Sequence, residues 1–250
     1  MENQINNTEL FSHKADDYTK FRPSYPDAAV GWLKSQISAE SVVDIGAGTG
    51  IFTQVLLKYF TNVSAIEPNA QMREKFKNFL PDVLCLAASG EATGLADNSV
   101  DLITVAQAFH WLDAEKFKKE AMRILKPSGR TAIVWNTTLH SEFTEARNRV
   151  CQKYCPRFSA GYAGRRSVQA GDIFLREEFF RKAEVVSFNN PFTMDMRTFE
   201  GNMRSRSYAL APDDADYLKF TAELRSVFEK YAVDGLVTEP QETQIYFGSL

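Results

Sequence analysis

Residues 42–50 read Val-Val-Asp-Ile-Gly-Ala-Gly-Thr-Gly, and Glu67 stands 21 positions after Gly46. A short apolar strand runs into a turn so rich in glycine that little but backbone can line it. A helix pattern starts at once, and a second apolar run, 63–67, ends in a carboxylate. This order constrains the chain to an α/β fold whose ligand site lies at the strand ends. The arrangement suits a nucleoside. Bare backbone approaches the ligand where side chains are absent, helix N–H groups point at its polar part, and the acid takes the two ribose hydroxyls. The glycine spacing narrows the choice. A dinucleotide fingerprint needs G-x-G-x-x-G, and here its third glycine position holds Ile51. A branched side chain there would crowd the close helix–strand contact.

A chain of 250 residues fits one large α/β domain or a domain with an insertion. Hydrophobic residues at 44% and charged residues at 24% are ordinary for a globular protein with a sizeable core. A net charge of −3 gives no sign of nucleic acid as a partner. No run approaches the ~18 apolar residues of a membrane span, and the polar first residues lack the apolar core of a signal peptide. Cys85, Cys151 and Cys155 form neither a disulfide framework nor a metal spacing. A reducing, cytoplasmic setting is expected, with no metal and no obligate protein partner.

Along the chain, Arg22-Pro23-Ser24-Tyr25-Pro26 reads as a rigid extended segment, because each proline restricts the residue before it. Pro26 then suits the start of a helix striped by Val30, Leu33 and Ile37. The spacing predicts strands at 41–45, 63–67, 83–88 and 100–109, with helices at 51–60 and 69–79 between them. A helix at 113–125 is expected to stop at Pro127, with Gly129 permitting a tight turn before a strand at 131–135. The repeated pattern predicts a Rossmann-like, doubly wound, mostly parallel sheet with helices on both faces. Residues 140–182 read as inserted helices and loops, followed by a strand at 185–188, helices at 196–208 and 212–231, and a last strand at 243–250. The expected organisation is a lid segment over 1–25 and one domain over 26–250, with cap insertions at about 140–182 and 194–235.

The D-x-G-x-G-x-G pattern of residues 44–50 resembles that of class I S-adenosylmethionine-dependent methyltransferases. The likeness continues in Ser89-Gly90-Glu91-Ala92-Thr93-Gly94-Leu95, in Gln107-Ala108-Phe109-His110-Trp111-Leu112-Asp113 and in Arg123-Ile124-Leu125-Lys126-Pro127-Ser128-Gly129, covering about residues 15–137. Tyr18, the Arg22–Pro26 lead-in, Gln107 with His110-Trp111, and Arg204-Ser205-Arg206-Ser207-Tyr208 look like the trans-aconitate-methyltransferase-like group of small-molecule enzymes. Two departures stand out. Ser89-Gly90-Glu91 stands where many relatives have Asp-Ala-Glu, and Arg206 replaces an aromatic residue. The resemblance implies a seven-stranded sheet whose last strand is antiparallel beside the fifth, with S-adenosylmethionine as cofactor and S-adenosylhomocysteine as product.

It also implies roles for residues around one cleft. Gly46, Ala47 and Gly48 would face the methionine part, and Glu67 the ribose. Asp44 either holds the turn or reaches the ammonium through water. Pro68, Asn69 and Met72 would flank the adenine, with Gly90, Glu91 and Ala92 on its other face. Gln107 and Ala108 would lie beneath the transferring methyl, and Tyr18 and Arg22 would close over the cofactor. His110 is the candidate base or carboxylate ligand, with Trp111 walling the acceptor pocket; both also read as ordinary structural residues. Tyr25, Arg165, Arg204 and Arg206 are the candidate substrate contacts, since arginine forks hold carboxylates. The expected activity is methyl transfer to a small molecule, a carboxylate among the candidates. Three other readings are weighed: a catalytically silent cofactor-binding subunit, a dinucleotide-dependent oxidoreductase, and a nucleic-acid or protein methyltransferase. The second is disfavoured by Ile51 and by the lack of a Tyr/Lys catalytic pair, and the third by the mild acidity and by Gln107-Ala108-Phe109-His110 where an Asn-Pro-Pro-Tyr signature would stand.

Overall fold

The computed structural model describes residues 20–158 and 172–250. Its chain order is α1 (Asp27–Gln36), β1 (Val42–Ile45), α2 (Ile51–Leu56), β2 (Val63–Ile66), α3 (Ala70–Phe79), β3 (Cys85–Leu86) and β4 (Val100–Ala106). Then come α4 (Ala114–Ile124), β5 (Leu125–Thr138), α5 (Glu142–Tyr154), β6 (Lys182–Asn189), β7 (Phe192–Met194), α6 (Met196–Arg204), α7 (Tyr217–Tyr231), β8 (Val237–Glu239) and β9 (Gln241–Ser249). Seven strands form one sheet in the order β3-β2-β1-β4-β5-β9-β6. The first five run parallel, and β9 inserts antiparallel to both β5 and β6. The order reverses direction at β1, which is the switch point where such sheets bind ligands.

Alternating strand residues feed two cores, as a period of two requires. Val43, Ile45, Ile103, Val105 and Ile133 pack on one face against Phe117, Ala121 and Ile124 of α4. Val42, Leu102, Ala132 and Val134 pack on the other against α1 and α2 through Val30, Leu33, Phe52 and Leu56. A third cluster stands apart from the sheet. Phe143, Val150 and Cys151 of α5 meet Phe199 and Met203 of α6, Phe220, Leu224 and Phe228 of α7, and Met194 and Val237 of the β7–β8 ribbon.

Side-chain caps set the helix starts. Asn69 accepts from the N–H groups of Gln71 (3.0 Å) and Met72 (2.9 Å), Asp113 from Lys116 N, and Asp195 from Thr198 N. Ser141 and Thr144 cap each other at the start of α5.

The structure departs from the spacing in four places. Residues 126–129 form no helix-ending turn: β5 already begins at Leu125, and they bulge between the Val100–Leu125 and Leu102–Arg130 pairs. Gly129 is therefore needed for space, because a Cβ there would stand 2.7 Å from Leu125 Cδ2 and 2.9 Å from the Lys126 carbonyl. Strand β4 stops at Ala106 because Gln107 turns left-handed (φ 55°), and Phe109–Trp111 form one helical turn. Helix α7 starts at Tyr217 and not near Pro212, where turns held by Asp214 intervene. The β7–β8 ribbon joins segments more than forty residues apart and has no local signature.

Candidate functional site

A cleft of about 330 Å³ opens over the carboxyl ends of β2, β1, β4 and β5. Its size falls within the range of small-molecule sites. Glu67, Pro68, Asn69 and Met72 line it from β2 and α3, Asp44 and residues 46–49 from β1, residues 106–108 from β4, and Asn136 from β5. Gly90, Glu91, Trp111 and Leu112 close one side, and Arg22, Pro23 and Tyr25 another.

The glycine turn is shaped by contact. Gly46 (φ 67°) and Gly48 (φ 58°) are left-handed. A Cβ on Gly46 would lie 2.6 Å from the Ala108 Cβ, so the turn and the end of β4 touch. A Cβ on Gly90 would meet Ile45 at 2.7 Å and Leu112 at 3.0 Å. Gly48 faces open space, so its bareness leaves a cradle and not a contact.

Two carboxylates sit at the base of the cleft. Glu67 is buried, and its Oε2 and Oε1 accept from the N–H groups of Gly48 and Asn69, each at 2.8 Å. Burial raises its pKa, and the two amides oppose the rise. Each oxygen keeps a second lone pair for a ligand hydroxyl. Arg73 fixes the loop by donating to the carbonyls of Glu67 and Pro68. Asp44 is also buried, accepting from Thr53 Oγ1 (2.7 Å) and Thr104 Oγ1 (2.9 Å). Desolvation pushes its pKa up to about 7 against those hydrogen bonds, and Glu67 adds to the rise. Asp44 thus braces β1 against α2 and β4 while still lining the cleft.

Other expected residues stand as follows. Glu91 lines the cleft and accepts from Asp113 N at the start of α4. Ala92 pairs with Ser89 and does not line the cleft. Arg22 does line it, with its guanidinium donating to Ser205 Oγ (2.9 Å) and the Ser205 carbonyl (3.1 Å). Tyr25 packs edge-on against Phe52, with ring centroids 4.7 Å apart. Trp111 lines the cleft and is 39% exposed, whereas His110 is not among the lining residues. The His110 ring lies between Trp111 (4.6 Å) and Trp135 (5.4 Å). Desolvation among these indoles lowers its pKa to about 4. Its solvent-facing edge limits the size of that shift but not its direction, so the imidazole is neutral at pH 7.

Arg204 and Arg206 are not in the cleft. Arg204 lines a separate cavity of about 200 Å³ between α6 and α7. Arg206 donates to Asn202 Oδ1 and stands 3.9 Å from Glu239. Tyr18 and Arg165 lie outside the described residues. Sequence reasoning passed over Asn136, Thr49 and Leu112 as lining residues. The signal for Asn136 was present: it is the first polar residue where the apolar run of β5 ends.

Residues 43–133 match a family model described as a methyltransferase domain. An uncharacterized methyltransferase of Mycobacterium tuberculosis is 40% identical over 127 residues, which are 51% of this chain and 52% of that protein. A malonyl-[acyl-carrier protein] O-methyltransferase of Methylococcus capsulatus is 30% identical over 149 residues, covering 56% of this chain and 52% of that protein. The chain thus spans about half the length of the curated relatives it matches. A candidate type II methyltransferase from Anaeromyxobacter dehalogenans shares the fold, with a TM-score of 0.66 at 23% identity over 92% of this chain and 98% of that one. The segment that builds the cleft floor therefore matches the methyltransferase domain family, within a chain that has the Rossmann-like fold of that class.

Proposed function

We propose that this protein transfers the methyl group of S-adenosylmethionine to a small-molecule acceptor and releases S-adenosylhomocysteine. The observation that carries the reading is the Glu67 carboxylate, fixed by the Gly48 and Asn69 amides at the lip of a bare glycine cradle. Each of its oxygens accepts one ribose hydroxyl, and an ionised acceptor makes these bonds strong. Gly46, Ala47 and Gly48 receive the methionine part, and Arg22 stands to meet its carboxylate. Pro68, Asn69 and Met72 flank the adenine opposite Gly90 and Glu91.

The bound cofactor supplies a methyl group on a cationic sulfur, open to in-line displacement. The chain's own residues orient the partners and exclude water. A carboxylate is the acceptor class to test first. It is already an anion at neutral pH, so no base is required. The malonyl-[acyl-carrier protein] relative, named for O-methylation, supports an oxygen acceptor. A hydroxyl or amine acceptor would need a base, and His110, the candidate for that role, stands beside Trp111 without lining the cleft itself. Among the described residues no helix is long and apolar enough to cross a membrane, and a cytoplasmic setting belongs to this reading.

Calorimetry tests the cofactor assignment. S-adenosylhomocysteine should bind and NADH should not, and Glu67→Ala should weaken binding about 10- to 100-fold, the worth of charge-assisted hydrogen bonds. Undiminished binding in that variant would remove the ribose assignment. A methyl-donor depletion assay over dicarboxylates, phenols and amines then separates an enzyme from a silent binder.

A further inference from the structure

Three non-glycine residues among those described have left-handed backbones: Asn98, Gln107 and Asp234. Asn and Asp visit that region readily. Gln107 does so at a cost of about 1–3 kcal/mol, and it does so in the cleft. Strain kept at a ligand site points to a role for the conformation it fixes.

The side chain is fixed as well. Gln107 Nε2 donates to the Asn136 carbonyl (2.8 Å), and its backbone N–H donates to the Val134 carbonyl (2.9 Å). Asn136 is itself held, with Oδ1 accepting from Thr243 and Asn190 and Nδ2 donating to the Ser24 carbonyl. The Gln107 carboxamide therefore has one orientation. One of its two N–H donors is used, which fixes the amide plane, and Oε1 receives no hydrogen bond from the described residues and is not sealed away from solvent. An amide oxygen accepts and does not act as a base.

Strand order says which part of a ligand meets this oxygen. Glu67 follows β2 and the glycine turn follows β1, while Gln107 and Asn136 belong to the next two strands, β4 and β5. At about 4.8 Å per strand, Gln107 lies roughly two strand spacings from the ribose acid, on the β5 side of the glycine turn. We propose that Gln107 is a specificity-determining residue of the acceptor site. Its Oε1 takes a hydrogen bond from an O–H or N–H carried by the acceptor close to the group that is methylated. The acceptor class is then a carboxylate with a neighbouring hydroxyl or amide N–H. A carboxylate oxygen bonds to the methyl carbon, the carbon–sulfur bond breaks with its electron pair going to sulfur, and no proton moves. This rests on the methyl-transfer reading of the cleft.

Matched acceptor pairs test it: malate against succinate, salicylate against benzoate, and N-acetylglycine against levulinate. Rates are measured at saturating S-adenosylmethionine for the wild type, Gln107→Met and Gln107→Asn. The ratio of kcat/KM within a pair cancels any change in cofactor affinity. The donor-bearing member of at least one pair should be preferred about tenfold or more by the wild type. The preference should fall to within about twofold in Gln107→Met, with Gln107→Asn as the second variant should the first not fold. A preference that survives in both variants overturns the assignment. So do equal rates within every pair, including no reaction of either member. If S-adenosylhomocysteine does not bind the wild type, it is the methyl-transfer reading itself that fails.

Discussion

Asp44 carries a pH dependence of its own. Its carboxyl is 1% exposed, and burial lifts its pKa from 3.8 to about 7. A raised folded-state value means that the protonated form suits the fold. That contribution is complete below about pH 4 and is lost as pH rises through about 7. Asp44→Asn keeps an acceptor and a donor for the Thr53 and Thr104 hydroxyls without the charge. The melting temperature of the variant should gain on the wild type between about pH 5 and pH 8. A gap that stays constant across that range would contradict the buried-acid account. His110 runs the other way. Its pKa is lowered to about 4, so its neutral form is the native one, and protonation becomes unfavourable to the fold as pH falls below the ordinary imidazole value of 6.5. Any activity that depends on it should be flat from about pH 6 to 8 and decline only in acid. A pH–rate inflection near 6.5 that disappears in His110→Asn would show an unshifted imidazole.

At the scale of elements, Gly129 separates two explanations that its sequence context confounds. A turn glycine is needed for φ, but Gly129 has no left-handed backbone and is needed for clearance. Gly129→Ala should cost about 1–3 kcal/mol by overpacking against Leu125 and the Lys126 carbonyl, read by denaturant titration. A neutral substitution would show that the bulge relaxes freely. The same bulge marks a limit on what the chain discloses locally. Strand β1, the glycine turn, Glu67 and the helices beginning near Asn69 and Asp113 were legible because their signals lie within a few residues of one another. Pro127-Ser128-Gly129 carries turn chemistry, yet the pairing of Leu125 and Arg130 with β4 on either side holds these residues as a bulge within the strand. Arg204 and Arg206 follow the same logic. Their charge suggested the acceptor pocket, but their destinations depend on how α6 docks on α7 and on Glu239, which no short window of sequence contains. Asn136 marks the polar end of the apolar run of β5, and that this end borders the cleft follows from its place beside β4.

The described residues form a two-faced sheet and a separate helical cluster with its own apolar centre. That cluster holds a buried ion pair between Arg147 and Glu239, whose side chains are 5% and 1% exposed. Arg147→Met should destabilise by about 3–5 kcal/mol, because it removes the ion-pair partner of a buried carboxylate. Adding Glu239→Gln should restore part of that loss, as measured by denaturant midpoint. Residues 21–25 cross from this cluster to the sheet. Phe21 lies on Gly201, where a Cβ would come within 2.1 Å of its ring, and Asn202 donates to the Phe21 carbonyl. At the other end, Asn136 and Asn190 both donate to the Ser24 carbonyl, and Tyr25 packs on Phe52. Gly201→Ala should improve helix propensity by about 0.5–1 kcal/mol while displacing Phe21. Trypsin should then cut after Lys20 faster, with the sheet intact by circular dichroism. The crossing also bears on time and not only on affinity. Arg22 and Tyr25 line the cleft from a segment tied at both ends. On the methyl-transfer reading, a nucleoside that leaves past them waits on one tie, and off-rates of S-adenosylhomocysteine and of a weaker adenosine ligand, followed by stopped flow, should converge on one value set by the chain; off-rates that scale with affinity would show an exit elsewhere around the cleft.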